Sequence, residues 1–402
     1  MLLILISFRN LFRNLRRTIS IILTVALGVG ALFCFDAFIV GVLSQYREST
    51  IHSHYGHGQL NESGYRETYY EKPSDHWITD SDKLETFLKN QPGVEYTFPR
   101  IAFSSFLSKG KTNVSAMGQG VDGPSESKFF HGLNIENGET LNDQPNGILL
   151  GVGLAKALNV SPGEIIKVTS KAINEEMNSI ELKVTGIFHT GSKDFDDKFF
   201  RIPLKQAQKL LKTNLVESIS LGLKSVDDWD AVTKSTLKEF PRLEATSFAV
   251  LDAIYYQHSV NWLTSQFRTV QMIIITIVLL GIFNTISTIV LERRQEIGNL
   301  RANGESAFDI MKLLLSEGLI LGFFGSLAGI LISLSLNLTI LSNGIRMPPG
   351  PGLTRDFVAY LEMQPEMALS TILMGVTAAV IATFFSGLKV AKMPIGEALR
   401  SI

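Results

Sequence analysis

Three histidines, His52, His54 and His57, crowd one short polar stretch of the chain, and imidazoles grouped this way can ligate zinc. No acidic partner stands at a ligand spacing, and Gly56 and Gly58 beside them mark an irregular segment, so solvated loop histidines are the preferred reading. Asp194, Asp196 and Asp197 could begin a calcium loop, yet the one-three-five spacing with its closing Glu is absent. Nothing matches Gly-x-Ser-x-Gly or a complete phosphate loop, so the residues offer no usual machinery for acyl transfer or ATP hydrolysis. No metal, cofactor or catalytic group is expected. The single cysteine, Cys34, excludes a disulfide within the chain, and no basic patch with interleaved aromatics points to nucleic acid.

One charged segment stands out instead. Glu292-Arg-Arg-Gln-Glu-Ile-Gly-Asn-Leu-Arg-Ala-Asn-Gly304 is short and polar. It reads as one helix with Ile297 and Leu300 on a common face and Gly304 as its stop. A stub of this size has no core of its own. The apolar pair flanked by charges suits docking into a partner's groove, and a plain topogenic loop explains the charges equally well.

The elements around that stub are membrane-like. The chain has 402 residues, 45% hydrophobic, with a net charge of -1, but long apolar runs lie at Ile19 to Val42, Met272 to Leu291, Leu313 to Leu341 and Leu369 to Leu388. A bilayer core of about 30 Å takes about 20 apolar helical residues, and each run reaches that. The first run exceeds a signal peptide's core and no small-residue cleavage site follows Val42, so it reads as an uncleaved anchor. Basic residues cluster before the first span (Arg9, Arg13, Arg16, Arg17), between the second and third (Arg293, Arg294, Arg301, Lys312) and after the fourth (Lys389, Lys392, Arg400). Loops so enriched stay in the cytoplasm, which puts both termini there and the region between the first two spans outside. Leu5, Phe8, Leu11, Phe12, Leu15 and Ile19 recur at helical spacing among the N-terminal arginines. They fit an interfacial amphipathic helix, a reading compatible with a plain basic flank.

Within the third run, Gly318, Gly322, Gly325 and Gly329 are spaced four, three and four residues apart, one helix face along which another backbone can approach. Asp36 and Glu317 lie near span ends, where both could reach interfacial water, so proton coupling is the weaker reading. In the outer region, a helix from Ser81 capped by Asp80, with Leu84, Phe87 and Leu88 on one face, is followed by a strand Val94 to Ile101. A second such unit has a helix from Asp228 to Phe240 and an extended stretch Leu243 to Val250. Between them fall strands at Ile148 to Leu150, Ile165 to Thr169, Ile180 to Phe188 and Phe199 to Pro203, and a helix Leu154 to Leu158. A mixed α/β domain with a β-rich subdomain inserted between its flanks is the simplest layout.

Glu292-Arg293-x-x-Glu296-Ile297-Gly298-x-Leu300-Arg301-Ala302-x-Gly304 resembles the signature of the FtsX/MacB/LolC-type ABC transporter permeases. Leu149 to Leu158, Pro162-Gly163-Glu164 and Val184 to Gly191 look like the family's extracytoplasmic core, and Pro394 to Arg400 like its tail. The resemblance implies that Glu292, Arg293, Glu296, Ile297, Gly298, Leu300, Arg301 and Gly304 form a coupling helix seated on the ATPase. It implies a separate ABC ATPase dimer, a second permease subunit (homo- or heterodimer), and a periplasmic lipoprotein or adaptor as partners, with no nucleic acid. The fold expected is an α-helical membrane protein with four transmembrane helices and a mixed α/β extracytoplasmic domain, a MacB-like core with an inserted β-rich subdomain. Residues 1–18 would be the interfacial helix, 19–45, 269–291, 310–341 and 367–388 the spans, and 46–268 the outer domain with its stems. Residues 292–309 would be the coupling helix, 342–366 an outer loop and 389–402 the cytoplasmic tail. The expected role is lipoprotein-release-like extraction across the cell envelope by mechanotransmission in the cytoplasmic membrane. Tripartite efflux, wall-hydrolase activation, and a membrane-anchored receptor or scaffold without an ATPase are the alternatives.

Overall fold

The computed structural model describes residues 15–68, 73–141, 145–253, 257–348, 354, 356–391 and 394. Most of the expected interfacial helix (1–14), residues 349–353 of the outer loop and nearly all of the C-terminal tail lie outside them. The chain divides into two compact units, one built from 1–44, 261–347 and 358–402 and the other from 45–260 and 348–357.

The first helix, α1 (Leu15–Thr50), contains no proline, so its internal hydrogen bonds run unbroken, as a bilayer core demands. It continues well past the apolar run into polar sequence. A π-helical turn (Ile51–Tyr55) closes it, and Gly56 supplies the positive φ of 67° that the exit needs while its N–H bonds Ile51 O at 3.1 Å.

The α/β unit follows. Its strands are β1 (Gly58–Glu62), β2 (Val94–Lys109), β3 (Thr112–Val121), β4 (Asn134–Gly138), β5 (Gly147–Gly151), β6 (Ile165–Lys171), β7 (Met177–His189), β8 (Phe199–Pro203), β9 (Ser218–Leu223) and β10 (Leu243–Ser247). Its longer helices are α2 (Ser81–Lys89), α3 (Gly123–Phe129), α4 (Val152–Leu158), α5 (Leu204–Leu211) and α6 (Trp229–Glu239), and a helical turn over Phe248–Leu251 ends at Ser247 the extended stretch expected to reach Val250. The strands join in the order β10-β1-β9-β2-β3-β8-β5-β7-β4, with β6 bridging β2 and β7. The long β2 is the shared member. Val94 to Arg100 pair with β9, and Ile101 to Lys109 pair with β3. Ile101, Phe103, Ser105 and Leu107 are buried, and the residues between them are not. That alternation carries the strand eight residues past the expected end at Ile101. Gly110-Lys111-Thr112, which carries the last three residues of a phosphate loop, forms the β2–β3 hairpin turn and the first residue of β3, not a strand-to-helix cradle.

Two apolar cores form, one on each stretch of the sheet. Ile101, Leu150, Val168, Leu182 and Phe200 belong to the core around the inserted strands, whereas Leu60, Leu84, Leu88, Ile219 and Val232 belong to the core of the flanking lobe. A third cluster gathers Ile51, Phe98, Phe129, Phe130 and Phe248 at the end of α1.

Beside that cluster lies a buried ionic triad. Arg100 of β2 makes two hydrogen bonds to Glu126 of α3, Nε to Oε1 at 2.7 Å and Nη2 to Oε2 at 2.8 Å. Arg201 of β8 donates to the same carboxylate at 2.8 Å. Arg100 also donates to the His54 carbonyl, and Arg201 Nη2 to the Ser53 carbonyl at 3.1 Å. Both guanidinium groups stack near the Phe130 ring, at 4.4 and 5.5 Å from its centroid. Burial pushes Arg201 down to about 10, against the opposing pull of Glu126. Glu217, at the junction of β1, β2 and β9, is a further buried acid of this unit. It accepts from the Tyr65 hydroxyl and the Ala102 N–H, and burial raises it to about 8 although the Ala102 bond opposes that rise.

After this unit come the remaining helices, α7 (His258–Glu292), α8 (Arg294–Ala302), α9 (Ala307–Thr339) and α10 (Pro365–Ala391), with a small pair of strands, β11 (Ile345–Met347) and β12 (Phe357–Ala359), before α10. Helices α1, α7, α9 and α10 are long and apolar enough to cross a membrane.

Two outcomes follow for stability. Replacing Glu126 with Leu leaves two guanidinium groups buried without a counter-charge and costs about 3–5 kcal/mol, read as a lower urea midpoint for the purified full chain. Glu217 carries its proton more tightly folded than unfolded, so its contribution is full below about pH 4.5 and is lost as pH rises towards about 8. Burial lowers His57 to about 4 from an ordinary 6.5, so its contribution is present above 6.5 and falls away only in acid. Between pH 6.5 and 8 the two do not overlap. Tryptophan-monitored urea unfolding should show the wild type losing about 2 kcal/mol over that interval, and Glu217→Gln should flatten the slope.

Candidate functional site

Helix α8 begins where α7 breaks at Arg293 and stops before Gly304, whose φ of +98° no side-chain-bearing residue adopts readily. The Glu305 N–H returns to the Leu300 carbonyl at 3.2 Å, closing the end. Between these stops, the apolar pair does not point outward. Ile297 is 3% exposed and packs in the cluster of Ile286, Val290, Ile310, Leu314 and Val390, with Leu300 against it. This corrects the expectation of an apolar pair free for a partner's groove. A nine-residue helix has no core of its own, so it takes one from the ends of α7, α9 and α10; burying one such side chain contributes about 1.5–3 kcal/mol.

The charges divide in the same way. Arg293 Nε donates to Glu296 at 2.9 Å, and its two terminal nitrogens reach both oxygens of Glu317 on α9. Glu317 is 4% exposed. It is no interfacial acid in contact with water, as the sequence reading had it, but the buried counter-ion of Arg293, because a carboxylate withdrawn from water needs a cation beside it. Asp36 has its own partner, the Gln271 amide at 2.6 Å. Arg293, Glu296, Ile297, Gly298 and Leu300 therefore turn towards the chain's own helices. Glu292, which lies 3.9 Å from Arg17, is exposed, as are Gln295, Asn299, Ala302, Asn303 and Gly304, with Arg301 partly so. Beyond the helix, Phe308 is 68% exposed, with the Lys312 ammonium 4.1 Å from its ring centroid.

The glycines of α9 face two other helices. A Cβ added at Gly318 would meet Thr383 Oγ1 at 2.4 Å, and one at Gly322 would meet Val376 Cα at 2.9 Å, both on α10. At Gly325 it would meet Val25 Cβ at 2.7 Å, and at Gly329 the Ala26 carbonyl at 2.6 Å, both on α1. Ser333 Oγ adds a hydrogen bond to the Gly30 carbonyl at 2.9 Å. One glycine face is thus used at two heights along α9.

The histidines form no solvated loop. His52 Nδ1 faces the Phe129 carbonyl at 2.9 Å, His57 Nδ1 accepts the Leu223 N–H at 3.0 Å, and His54 packs edge-on against Tyr55 and Phe195 at 4.1 and 4.3 Å. Asp196 accepts the Thr190 N–H and hydroxyl at 2.7 and 2.9 Å, an internal cap. Among the described residues no cluster of three or more His, Cys, Asp or Glu is placed to hold a metal ion.

Two sequence families cover the chain. The MacB-like periplasmic core domain matches residues 18–238, more than half of the chain, and the FtsX-like permease C-terminal matches residues 269–395. The chain belongs to the FtsX/MacB/LolC-type ABC transporter permeases. The permease is similar to the lipoprotein-releasing system transmembrane protein LolE of Haemophilus influenzae, at 25% identity over 352 residues and 81% of each chain. LolC of Neisseria meningitidis serogroup B is 26% identical over 341 residues, 82% of this chain and 78% of that one. The periplasmic region of MacB from Actinobacillus actinomycetemcomitans aligns with 49% of this chain and 92% of its own at 13% identity and a TM-score of 0.36, too low a score to carry an argument. Membership makes the permease a non-catalytic membrane subunit with an extracytoplasmic α/β domain, and ATP hydrolysis belongs to a separate ABC ATPase.

Gly329→Leu should separate α9 from α1 and lower the melting temperature of the permease in detergent. Gly281→Leu on α7, where an added Cβ meets nothing within 4 Å, should leave it within about 0.5 kcal/mol of the parent.

Proposed function

We propose that this permease is a mechanotransmitting subunit with a lipoprotein-release-like role. In this reading all four long helices cross the membrane, both termini are cytoplasmic, and the α/β unit stands outside. Residues 292–309 receive movement from an ATPase dimer beneath a pair of permease subunits, and the outer domain hands an acylated polypeptide onward. The names of the relatives from Haemophilus and Neisseria favour that cargo class. The observation that carries the reading is the clamp of Arg293 on Glu317. A helix tied to the body of α9 by a buried charge pair cannot be displaced without moving α9, which is what a coupling element requires.

Orientation follows from the same geometry. Since Ile297 and Leu300 face inward, the surface left for the ATPase is the opposite face, Gln295, Asn299 and Ala302, with Glu292 at its edge.

Co-purification from cells expressing the permease with its neighbouring ATPase tests this. Glu292→Lys combined with Asn299→Arg should lose the ATPase. Arg293→Met should retain it but uncouple cargo-stimulated turnover. Unchanged binding and turnover in the double variant would remove α8 from the coupling role.

A further inference from the structure

Tyr46, Ser49, Thr50 and Ser53 recur at three- and four-residue spacing along the end of α1 and its π turn, and together they form one wall of a cavity of about 370 Å³. The facing wall is aromatic. Phe195 and Phe199 stack with centroids 4.2 Å apart and planes within 8°, and His54 stands edge-on to both, at 4.3 and 5.4 Å. Met117 completes the apolar lining, and Asp252 and Ser259 close it from the segment that leads into α7. Charge is confined to Asp194, Lys198 and Asp252, with Lys198 and Asp194 paired at 3.6 Å and both well exposed. Within this apolar ring, His54 Nδ1 is buried and makes no hydrogen bond among the described residues.

A concave site of a few hundred Å³, mostly apolar with few polar groups, is the usual form of a small-ligand pocket. Partly exposed aromatic rings facing a cavity are otherwise unfavourable, and a packed domain of this size ordinarily turns them into its core. Phe200, next in sequence, is the ring that enters the core, whereas Phe195 only edges onto the cluster of Val121, Leu149 and Phe188 and, like Phe199, stays partly exposed. The ligand's chemistry follows from what forms the walls. One is the direct continuation of α1, whose apolar run has the length of a bilayer crossing, and Ser259 belongs to the first turn of α7, which has it too. A flexible chain of methylenes reaching the cavity along these two stems would lie against Phe195, Phe199 and Met117, while its polar end would find Asp194, Lys198 and the hydroxyl-bearing Ser49 and Ser192 of the lining.

We propose that this cavity of the extracytoplasmic domain binds a long acyl chain. The site depends on the reading above only for the side of the membrane on which it lies. An acyl chain contributes about 0.8 kcal/mol for each methylene buried, so even partial insertion gives measurable occupancy.

Photo-crosslinking of the full chain in nanodiscs tests it, with a diazirine-bearing C16 fatty acid as the probe. Labelled peptides should come from residues 46–55 and 190–199. Ser49→Trp, at an exposed position, should fill the cavity and cut that labelling roughly tenfold, about 1.4 kcal/mol, with the melting temperature unchanged. Competition by unlabelled palmitate, by a phospholipid or by a palmitoylated cysteinyl peptide supports the site in each case and distinguishes the source of the chain. Labelling confined to the membrane helices, or undiminished in Ser49→Trp, overturns the proposal. Because no ATPase takes part, a negative result here leaves the coupling experiment on α8 standing.

Discussion

Everything outside the membrane hangs on the capture of a helix end. A helix leaves its last carbonyls without internal partners, and α1 with its π turn runs into the α/β unit, where side chains take up two of them. The carbonyls of Ser53 and His54 receive their protons from Arg201 and Arg100. Two guanidinium groups side by side would repel, and Glu126 between them makes the arrangement tenable. The triad therefore joins the end of the first long helix to β2, β8 and α3 at once. An apolar contact could fill that space but could not supply donors to the carbonyls.

The same chemistry recurs at the polar stub. Arg293 sits at the break between α7 and α8 and is held by Glu296 and by Glu317 of α9. A buried ion pair is weak evidence for stability, because desolvation offsets most of the attraction. Its value here is geometric. Apolar packing of Ile297 would tolerate a sliding helix, whereas the forked contact of one guanidinium with two carboxylates fixes register.

Much of the fold was legible in the sequence for reasons that can be named. Short apolar stretches marked β5 and β8 and alternation marked β6 and β7, within about three residues at each end, and Leu84 and Leu88 gave α2 its face. The apolar runs left little choice about the long helices. Strands β1, β3, β4 and β9 were missed, as was the short pair β11 and β12. Gly58–Glu62 is too short and polar to show a pattern, and β9 is buried at every position and so does not alternate. The site failed differently. Periodicity correctly put Ile297 and Leu300 on one face of α8 but cannot say whether that face meets a partner or the parent chain. Nor could it pair Arg293 with Glu317 across 24 residues, although a carboxylate set within an apolar run calls for a cation.

Packing within the helical unit separates its members into two kinds. Helices α1, α9 and α10 meet through glycines at which no Cβ fits, so their backbones lie in direct contact. Helix α7 meets α1 at one such point, Gly28 against Val278, and through Gln271 on Asp36 and Phe267 against Phe35 and Phe38, but less of it is buried. Its buried residues are Ile282, Ile286 and Val290, all in the third nearest α8, while Met272, Ile273, Ile277 and Leu280 are exposed in the single chain. A lipid face or a second subunit must cover that apolar length. The least buried of the four long helices is thus the one covalently joined to α8. Its far end leads out of the α/β unit, and α8 itself is tied to α9 through Glu317. In the proposed reading, displacement of α8 would pull on α9 through that charge pair, and the covering of α7 by lipid or a second subunit would change with it.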